Sequence, residues 1–377
     1  MEIAVLGAGM VGRTIAIDLS KKHSVTSMDV STANLDLIGS QWRIKKTHCD
    51  LTSCDYASLL SGYDCVVSAV PGWMGFRTLE AIIRAGKNVV DISFFPEDPF
   101  LLTKLAEERS VTAIVDCGVA PGMSNMILGY WDTQMKVDNF LCLVGGLPKL
   151  RVKPFEYKAP FSPIDVIEEY TRPARYVENG CEVVKPALTD VEQFYFDKVG
   201  TLEAFNSDGL RTLISTMEHI PNMKEKTLRY PGHADLMRSI ISAGLLDSKK
   251  IGEGPSPLVF NSNIIFNQWK LEPGEAEFTV MQIIIKGEGK QIAYSLFDES
   301  EKNETRFSSM SRTTGYACTA VVELFARGHF IEKGIYAPES VGKKPGCFSF
   351  VLNYLADRNV HYEMNEIDAE KGTEDIS

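Results

Sequence analysis

The residues best suited to chemistry come at the start of the chain, where Gly7-Ala-Gly9-Met10-Val11-Gly12 follows a short apolar run, Glu2-Ile-Ala-Val-Leu6. In a turn between a strand and a helix, the first glycine permits the tight bend. The second lets the backbone approach a pyrophosphate, and the third lets helix and strand pack closely. The helix N-terminus then presents N–H groups to an anion. A second strand-like stretch, Ser24-Val-Thr-Ser-Met28, ends on Asp29, the distance at which a carboxylate meets an adenosine ribose. A carboxylate there accepts from the ribose 2′-OH and repels a 2′-phosphate, and Val30, Ser31 and Thr32 bring no compensating cation. The expected cofactor is therefore NAD, and Asp29 as a mere strand-closing turn residue is the plainer alternative.

Further apolar runs follow, Cys65-Val-Val-Ser-Ala-Val70, Asn88-Val-Val-Asp-Ile92 and Thr112-Ala-Ile-Val115, with amphipathic helical patterns over 76–85 and 99–109 between them. Such alternation implies α/β architecture with a doubly wound parallel sheet, which binds ligands at the carboxyl ends of its strands. Those ends supply Ala69, Val70, Pro71 and Gly72, then Asp91 and Ser93, then Asp116, Cys117 and Gly118. With Met10, Val11, Val30, Asp50 and Leu51, the residues at 69–71, 91, 117 and 118 complete the expected cofactor-binding set. Asp91 and Asp116 double as candidate bases, each with the alternative of capping a loop or helix. Cys117 is a buried structural thiol on this view.

After Val115 the pattern changes. A glycine-rich crossing, Asp116 to Asn125, leads into a helix ending near Met135, and alternating stretches at 140–144, 191–196 and 278–286 predict an α+β domain with a mixed or antiparallel sheet. The expected division is a Rossmann domain over 1–120, a substrate-binding and dimerisation domain over 121–365, and an acidic flexible tail over 366–377. A long helix over 308–328 is expected to return toward the first domain.

Composition sets outer limits. A chain of 377 residues with 44% hydrophobic content suits two cores, and a net charge of −11 argues against nucleic acid or an anionic membrane surface as partner. No apolar run reaches the ~20 residues of a membrane span, and the N-terminus enters a strand directly, so a cytoplasmic protein is expected. Eight cysteines and six histidines show no metal-ligand spacing, so no metal is expected and the thiols are read as reduced.

Six segments of the second half are particular enough to suggest a family: Asp116-Cys-Gly-Val-Ala-Pro-Gly-Met-Ser-Asn125, Gly145-Gly-Leu-Pro148, Glu169-Tyr-Thr-Arg-Pro-Ala-Arg175, Ser207-Asp-Gly-Leu-Arg211, Leu228-Arg-Tyr-Pro-Gly-His233 and Met310-Ser-Arg-Thr-Thr-Gly315. Together with the glycine turn they resemble the saccharopine dehydrogenase-like family, in particular its lysine 6-dehydrogenase branch. That resemblance implies NAD-linked oxidation of the lysine ε-amine to an imine, which hydrolyses to the semialdehyde and cyclises. It also implies a homodimer. Relatives acting on saccharopine or carboxylated polyamines are the enzymatic alternative, and a silent NAD-binding sensor or scaffold is the non-enzymatic one.

Amine oxidation needs the nitrogen lone pair, whereas a free lysine ammonium has a pKa near about 10.4, so a base or a desolvating pocket must remove a proton. Asp91 or Asp116 would do this beside the nicotinamide. A substrate α-carboxylate calls for a guanidinium. Among Arg172, Arg211, Arg229 and Arg312, the expected carboxylate ligands are Arg211 and Arg312, in segments that combine polar donors with glycine. His233 is a candidate proton relay, or else a hydrogen-bonded structural histidine. Tyr157 and Lys158 are expected near substrate, Glu168 and Glu169 toward solvent, and Gly145 to Pro148 in a pocket wall.

Overall fold

The computed structural model describes residues 1–272, 274–302 and 305–368. In chain order its strands are β1 Glu2–Leu6, β2 Ser24–Asp29, β3 Lys45–His48, β4 Cys65–Ser68, β5 Asn88–Asp91, β6 Thr112–Ile114, β7 Asn139–Pro148, β8 Ala174–Glu178, β9 Cys181–Lys185, β10 Glu192–Phe196, β11 Gly200–Asn206, β12 Asn222–Arg229, β13 Glu277–Gly287, β14 Lys290–Glu299, β15 Gly334–Tyr336 and β16 Tyr362–Asp368. They form two sheets in two compact units, one of Met1–Met135 with Met310–His361 and one of Lys136–Ser309 with Tyr362–Asp368.

The first unit is a doubly wound parallel sheet in the order β15-β6-β5-β4-β1-β2-β3. The apolar runs at β4 and β5 have the continuous hydrophobic character of strands covered on both faces: Cys65, Val66, Val67, Val89 and Val90 are all buried. Helices Met10–Ser20 and Gly72–Arg84 follow β1 and β4. The chain leaves β1 toward β2 on one side and returns as β4 on the other, so the order reverses at β1, where such sheets open a crevice.

The register aligns the carboxyl ends that matter. Leu6 lies opposite both Met28 and Ser68, and Ser68 lies opposite Asp91. The hydrogen bonding then runs one step past the strands: the Gly7 N–H donates to Met28 O (2.8 Å), Ala69 N–H to Leu6 O (2.8 Å), Ile92 N–H to Ser68 O (3.0 Å) and Cys117 N–H to Asp91 O (3.0 Å). Four successive loops are thereby anchored at one level.

The second unit holds a mixed sheet in the order β10-β11-β12-β7-β13-β14-β16, with β8 and β9 branching from β12. β12 runs parallel to β7, and the other pairings are antiparallel. One face of this sheet packs on the helices Pro163–Thr171, His233–Ser242 and Pro257–Trp269 around Phe205, Tyr170 and Trp269.

Residues 121–135 and 310–361 pack within the first unit. The helix Ser309–Ala326 carries Gly315 flat against Thr14 and Ile15 of the first helix, and β15 adds an edge strand beside β6. Of the tail expected over 366–377, residues 366–368 belong to β16 and pair with β14; residues 369–377 lie outside the described residues.

One buried ion pair locks the returning segment to the nucleotide-side helix. Asp18, on Met10–Ser20, accepts at one carboxylate oxygen from Arg358 Nε, Tyr354 Oη and Thr319 Oγ1, each at 2.8 Å, while Lys21 reaches the other oxygen at 3.1 Å. Burial works against the charge, but the guanidinium and these donors win and hold the Asp18 carboxyl below its ordinary value. A depressed value means stability that is present above the ordinary aspartate pKa and lost as pH falls through the lowered one. Asp18→Ala strands Arg358 and is expected to cost about 3–5 kcal/mol in urea unfolding. A loss of only about 0.5 kcal/mol, the size of a surface substitution, would contradict this role.

Candidate active site

The glycine turn meets the geometric demands of a dinucleotide. Gly7 has φ +100°, and a methyl there would collide with the Ala69 carbonyl; one on Gly12 would collide with the Gly7 carbonyl. Both glycines are therefore required by packing. Gly9 differs, because nothing lies within 4 Å of the position its Cβ would take. It also caps the helix Met10–Ser20 without a side-chain cap, and no acidic residue occupies that helix's first turn. A polyanion can approach this terminus closely, with no acidic side chain of the helix's own first turn in the way.

Asp29 closes β2 against the same turn. One carboxylate oxygen accepts from the Ala8 N–H (2.6 Å) and the other from the Ser31 N–H (2.7 Å). Among the neighbouring cofactor candidates, Val30 is exposed, Pro71 and Asp50 are exposed, Ala69, Met10 and Val11 are partly exposed, and Leu51 and Val70 are buried beneath them. His48, opposite Asp29 on β3, hydrogen-bonds the Val30 carbonyl with Nε2 at 2.9 Å.

The strand ends beyond are interior. Asp91 is fully buried; its oxygens accept from the Ser93 N–H (3.1 Å) and Ser93 Oγ (2.9 Å), and Ser68 Oγ lies 3.3 Å from Ser93 Oγ. Burial pushes the Asp91 carboxyl up to about 7, the Ser68 and Ser93 bonds pull it partly back, and the charge of Asp116 pushes it further up. Asp116 is buried with φ +54°, a left-handed conformation that aspartate tolerates better than most residues. Asp91 and Asp116 thus form a buried carboxylate pair at adjacent strand ends.

Two of the expected cofactor ligands lie inside the fold. Cys117 sits within its turn, with its thiol toward the carbonyls of Val115 (3.4 Å) and Ile114 (3.6 Å) and its pKa pushed well above the ordinary value by burial. Gly118 is buried beneath the Pro121 carbonyl. Both belong to the loop that leads into helix Met123–Asp132.

In the second unit the structure gathers residues that the sequence distributed among separate roles. Arg229, at the end of β12, is buried; its Nε donates to Tyr170 Oη (2.8 Å), one terminal nitrogen to Leu228 O (2.9 Å), and the other lies 3.4 Å from both Tyr157 Oη and a Glu169 oxygen. Its guanidinium stacks 4.3 Å from the Tyr157 ring centre. Because the Tyr170 oxygen accepts from Arg229, its own hydrogen goes to His233 Nε2 (3.0 Å), and His233 Nδ1–H donates to the Phe155 carbonyl (2.9 Å). Every donor in this chain meets an acceptor, which fixes the neutral tautomer.

His233 is therefore a positioning residue and not a proton relay. Burial, together with the Arg229 charge, drives its pKa down to about 3, and both ring nitrogens are occupied. Glu169, expected toward solvent, turns to Arg229 and accepts from Thr227, which also bonds Ser207 Oγ at 3.0 Å. Arg312 belongs to the first unit, where one terminal nitrogen donates to the carbonyls of Arg358 (3.0 Å) and Asn359 (3.4 Å), beyond the helix Cys347–Ala356. Arg211 stays in the second unit, buried, with φ +48°. Beside Tyr157, Phe155 and Lys158 lies a cavity of about 110 Å³, bounded also by Pro148, Gln268 and Glu275.

Arg229, Tyr170 and Glu169 were all in quoted segments, but nothing local singles them out; the signal is the pairing of β12 with β7 and β11, which is non-local. Among the described residues, no group of three or more His, Cys, Asp or Glu side chains is arranged to hold a metal, and no helix is long and apolar enough to cross a membrane.

Sequence comparison places these features. The saccharopine dehydrogenase C-terminal domain matches residues 118–360, and the saccharopine dehydrogenase NADP binding domain matches residues 3–114. The chain belongs to the saccharopine dehydrogenase family. The bovine mitochondrial alpha-aminoadipic semialdehyde synthase is 25% identical over 268 residues, covering 65% of this chain and 28% of that protein. The chain thus spans little more than a quarter of that relative's length. Carboxynorspermidine synthase of Vibrio alginolyticus is 22% identical over 318 residues, covering 75% of this chain and 74% of the relative. In fold, the chain is similar to apo saccharopine dehydrogenase (L-Glu forming) from Saccharomyces cerevisiae, with a TM-score of 0.77, 18% identity and coverage of 97% and 99% of the two chains. Residues 3–114, which carry β1 to β6 of the first unit, are accordingly the family's NAD(P)-binding domain.

The glycines separate packing from binding. Gly9→Ala is expected to keep the melting temperature within a few degrees while weakening dinucleotide affinity at least tenfold, because the added methyl enters space that only a ligand would fill. Gly12→Ala should lower the melting temperature steeply. Equal loss of stability in both variants, read by thermal denaturation and dinucleotide titration, would remove the distinction. A second expectation concerns Asp91, whose raised value means that the folded state binds the extra proton, so its contribution falls as pH rises from the ordinary aspartate range through about 7. Asp91→Asn should therefore gain stability relative to wild type between pH 5 and pH 8 in unfolding titrations. A difference independent of pH would show that the carboxyl is not held protonated.

Proposed function

We propose that this protein is an NAD-dependent amine dehydrogenase that oxidises the ε-amine of L-lysine, or of a close diamino acid, to an imine that hydrolyses to the semialdehyde and cyclises. The observation that carries the proposal is Asp91: a carboxyl held near about 7 at a strand end of the dinucleotide domain, suited to taking a proton from an ammonium before hydride loss. NAD, when bound, accepts the hydride. The glycine turn and the Met10–Ser20 helix receive its pyrophosphate. Asp29, with no cation in Val30 to Thr32, supports NAD over NADP even though the matched domain carries the NADP name. Asp116, beside Asp91, adds to the upward push on the Asp91 carboxyl.

For the substrate α-carboxylate, Arg211 and Arg312 are the proposed ligands, whereas Arg229 is committed to Tyr170, the Leu228 carbonyl, Tyr157 and Glu169. A cytoplasmic homodimer belongs to the same reading. The second reading, a secondary amine such as saccharopine or a carboxylated polyamine, is favoured by the similarity to carboxynorspermidine synthase over three quarters of both chains.

A panel of lysine, ornithine, saccharopine and carboxynorspermidine, followed by NADH formation, tests both readings. Lysine should give the highest kcat/KM, with kcat rising through an apparent pKa near about 7. Asp91→Asn should lower kcat by about 10²–10⁴ while sparing NAD affinity. Turnover confined to saccharopine or carboxynorspermidine selects the second reading, and NAD binding without turnover on any amine overturns both.

A further inference from the structure

The adenine-side loop after β3 carries two thiols that no part of the proposed chemistry uses. Cys49 and Cys54 bracket Asp50-Leu-Thr-Ser53, both are partly exposed, and neither is in a disulfide. Both pack against the same core cluster beneath the first sheet, near enough for Cys49 to raise the Cys54 thiol. The loop between them is tightly wound: Asp50 accepts from the Thr52 N–H (2.9 Å) and Thr52 Oγ1 (2.6 Å), and Tyr56 Oη donates to the Leu51 carbonyl (3.0 Å). The Cys54 thiol also points at that carbonyl, 3.9 Å away. At its start, the Cys49 N–H donates to the Asp29 carbonyl (3.1 Å), so the loop is fastened to the residue expected to read the ribose.

Of the other six cysteines, Cys65, Cys117, Cys142, Cys318 and Cys347 are buried, and Cys181 lies on a surface strand in the second unit. The pair at 49 and 54 combines access with a partner.

We propose that Cys49 and Cys54 are a redox modification site, in which a peroxide converts the two thiols to an intramolecular disulfide that locks the Asp50–Ser53 loop and weakens dinucleotide binding. The step balances with the peroxide as oxidant. The Cys49 sulfur, as thiolate, attacks the peroxide, the O–O bond breaks and a sulfenic acid forms with release of one water. The Cys54 sulfur then displaces the second water as the S–S bond forms. Two thiols are oxidised and one hydrogen peroxide is reduced to two waters. Burial and the neighbouring Cys49 push the Cys54 thiol up to about 11, so Cys49 is the thiol that meets the peroxide, and Cys54 gives up its proton as it attacks the sulfenic acid. The disulfide draws the two ends of the loop together, and the wound Asp50–Thr52 turn has to shift with them. The effect on affinity rests on the dinucleotide reading above; formation of the bond does not.

The test uses the full chain treated with hydrogen peroxide, then denatured, alkylated with iodoacetamide and digested with trypsin. Lys46 and Arg77 bound one peptide that holds Cys49, Cys54 and Cys65. The expected product carries one alkylated thiol, Cys65, and is two hydrogens lighter at the remaining pair, with dithiothreitol restoring three alkylated thiols. NAD affinity of the oxidised chain should fall at least fivefold and recover on reduction, whereas Cys49→Ser and Cys54→Ser should keep their affinity through peroxide treatment. Three alkylated thiols after oxidation, or over-oxidised cysteines without the lighter peptide, overturn the site. A formed disulfide with unchanged NAD affinity overturns its effect on the cofactor, and failure of the reduced chain to bind NAD overturns the dinucleotide reading while leaving the bond itself standing.

Discussion

Three backbone segments meet at Gly7, Gly12 and Ala69 with no room for a side-chain carbon between them. This close approach decides where the first helix starts, how the β4 loop returns and which amides face outward at the crevice. The hydrogen bonds that continue past the strands, from Gly7 to Met28, Ala69 to Leu6, Ile92 to Ser68 and Cys117 to Asp91, hang four loops from that contact. Gly9 is left as the one glycine of the turn with open space before it, and Asp29 is clamped to the same turn by Ala8.

Each unit then uses a buried charge to fix a helix or a strand end. In the first, Asp18 collects Arg358, Tyr354 and Thr319 at a single oxygen, so a segment three hundred residues downstream braces the phosphate-side helix. In the second, Arg229 feeds a donor chain through Tyr170 to His233 and the Phe155 carbonyl. Buried charges are costly unless every donor and acceptor is met, and both networks satisfy that condition through aromatic hydroxyls. Asp91 is the counterexample: burial with only serine partners leaves its charged form under-supported, which is what a proton acceptor requires.

The sequence made the first sheet legible because its cues are local. Glycine spacing, continuous apolar runs and a carboxylate at a strand end each lie within a few residues. The strands expected at 140–144 and 278–286 were found lengthened, as β7 and β13, because their ends are set by pairing with each other and not by composition. The extent of the segment that rejoins the first unit, through β15 and as far as His361, is a long-range event that no window of sequence contains. His233 followed the same pattern: its residue type suggested proton transfer, but Tyr170 and Phe155, distant in sequence, hold it neutral. Arg312 has the right chemistry for a carboxylate, and one of its terminal nitrogens also meets backbone carbonyls beyond a helix distant in sequence.

The central claim is that the glycine turn and Asp29 together hold NAD. Calorimetric titration of the purified full chain with NAD and then NADP tests it most directly. The account predicts one site per chain with NAD bound at least tenfold more tightly than NADP, and that preference lost in Asp29→Ala. Equal or tighter binding of NADP by the wild-type chain would contradict it.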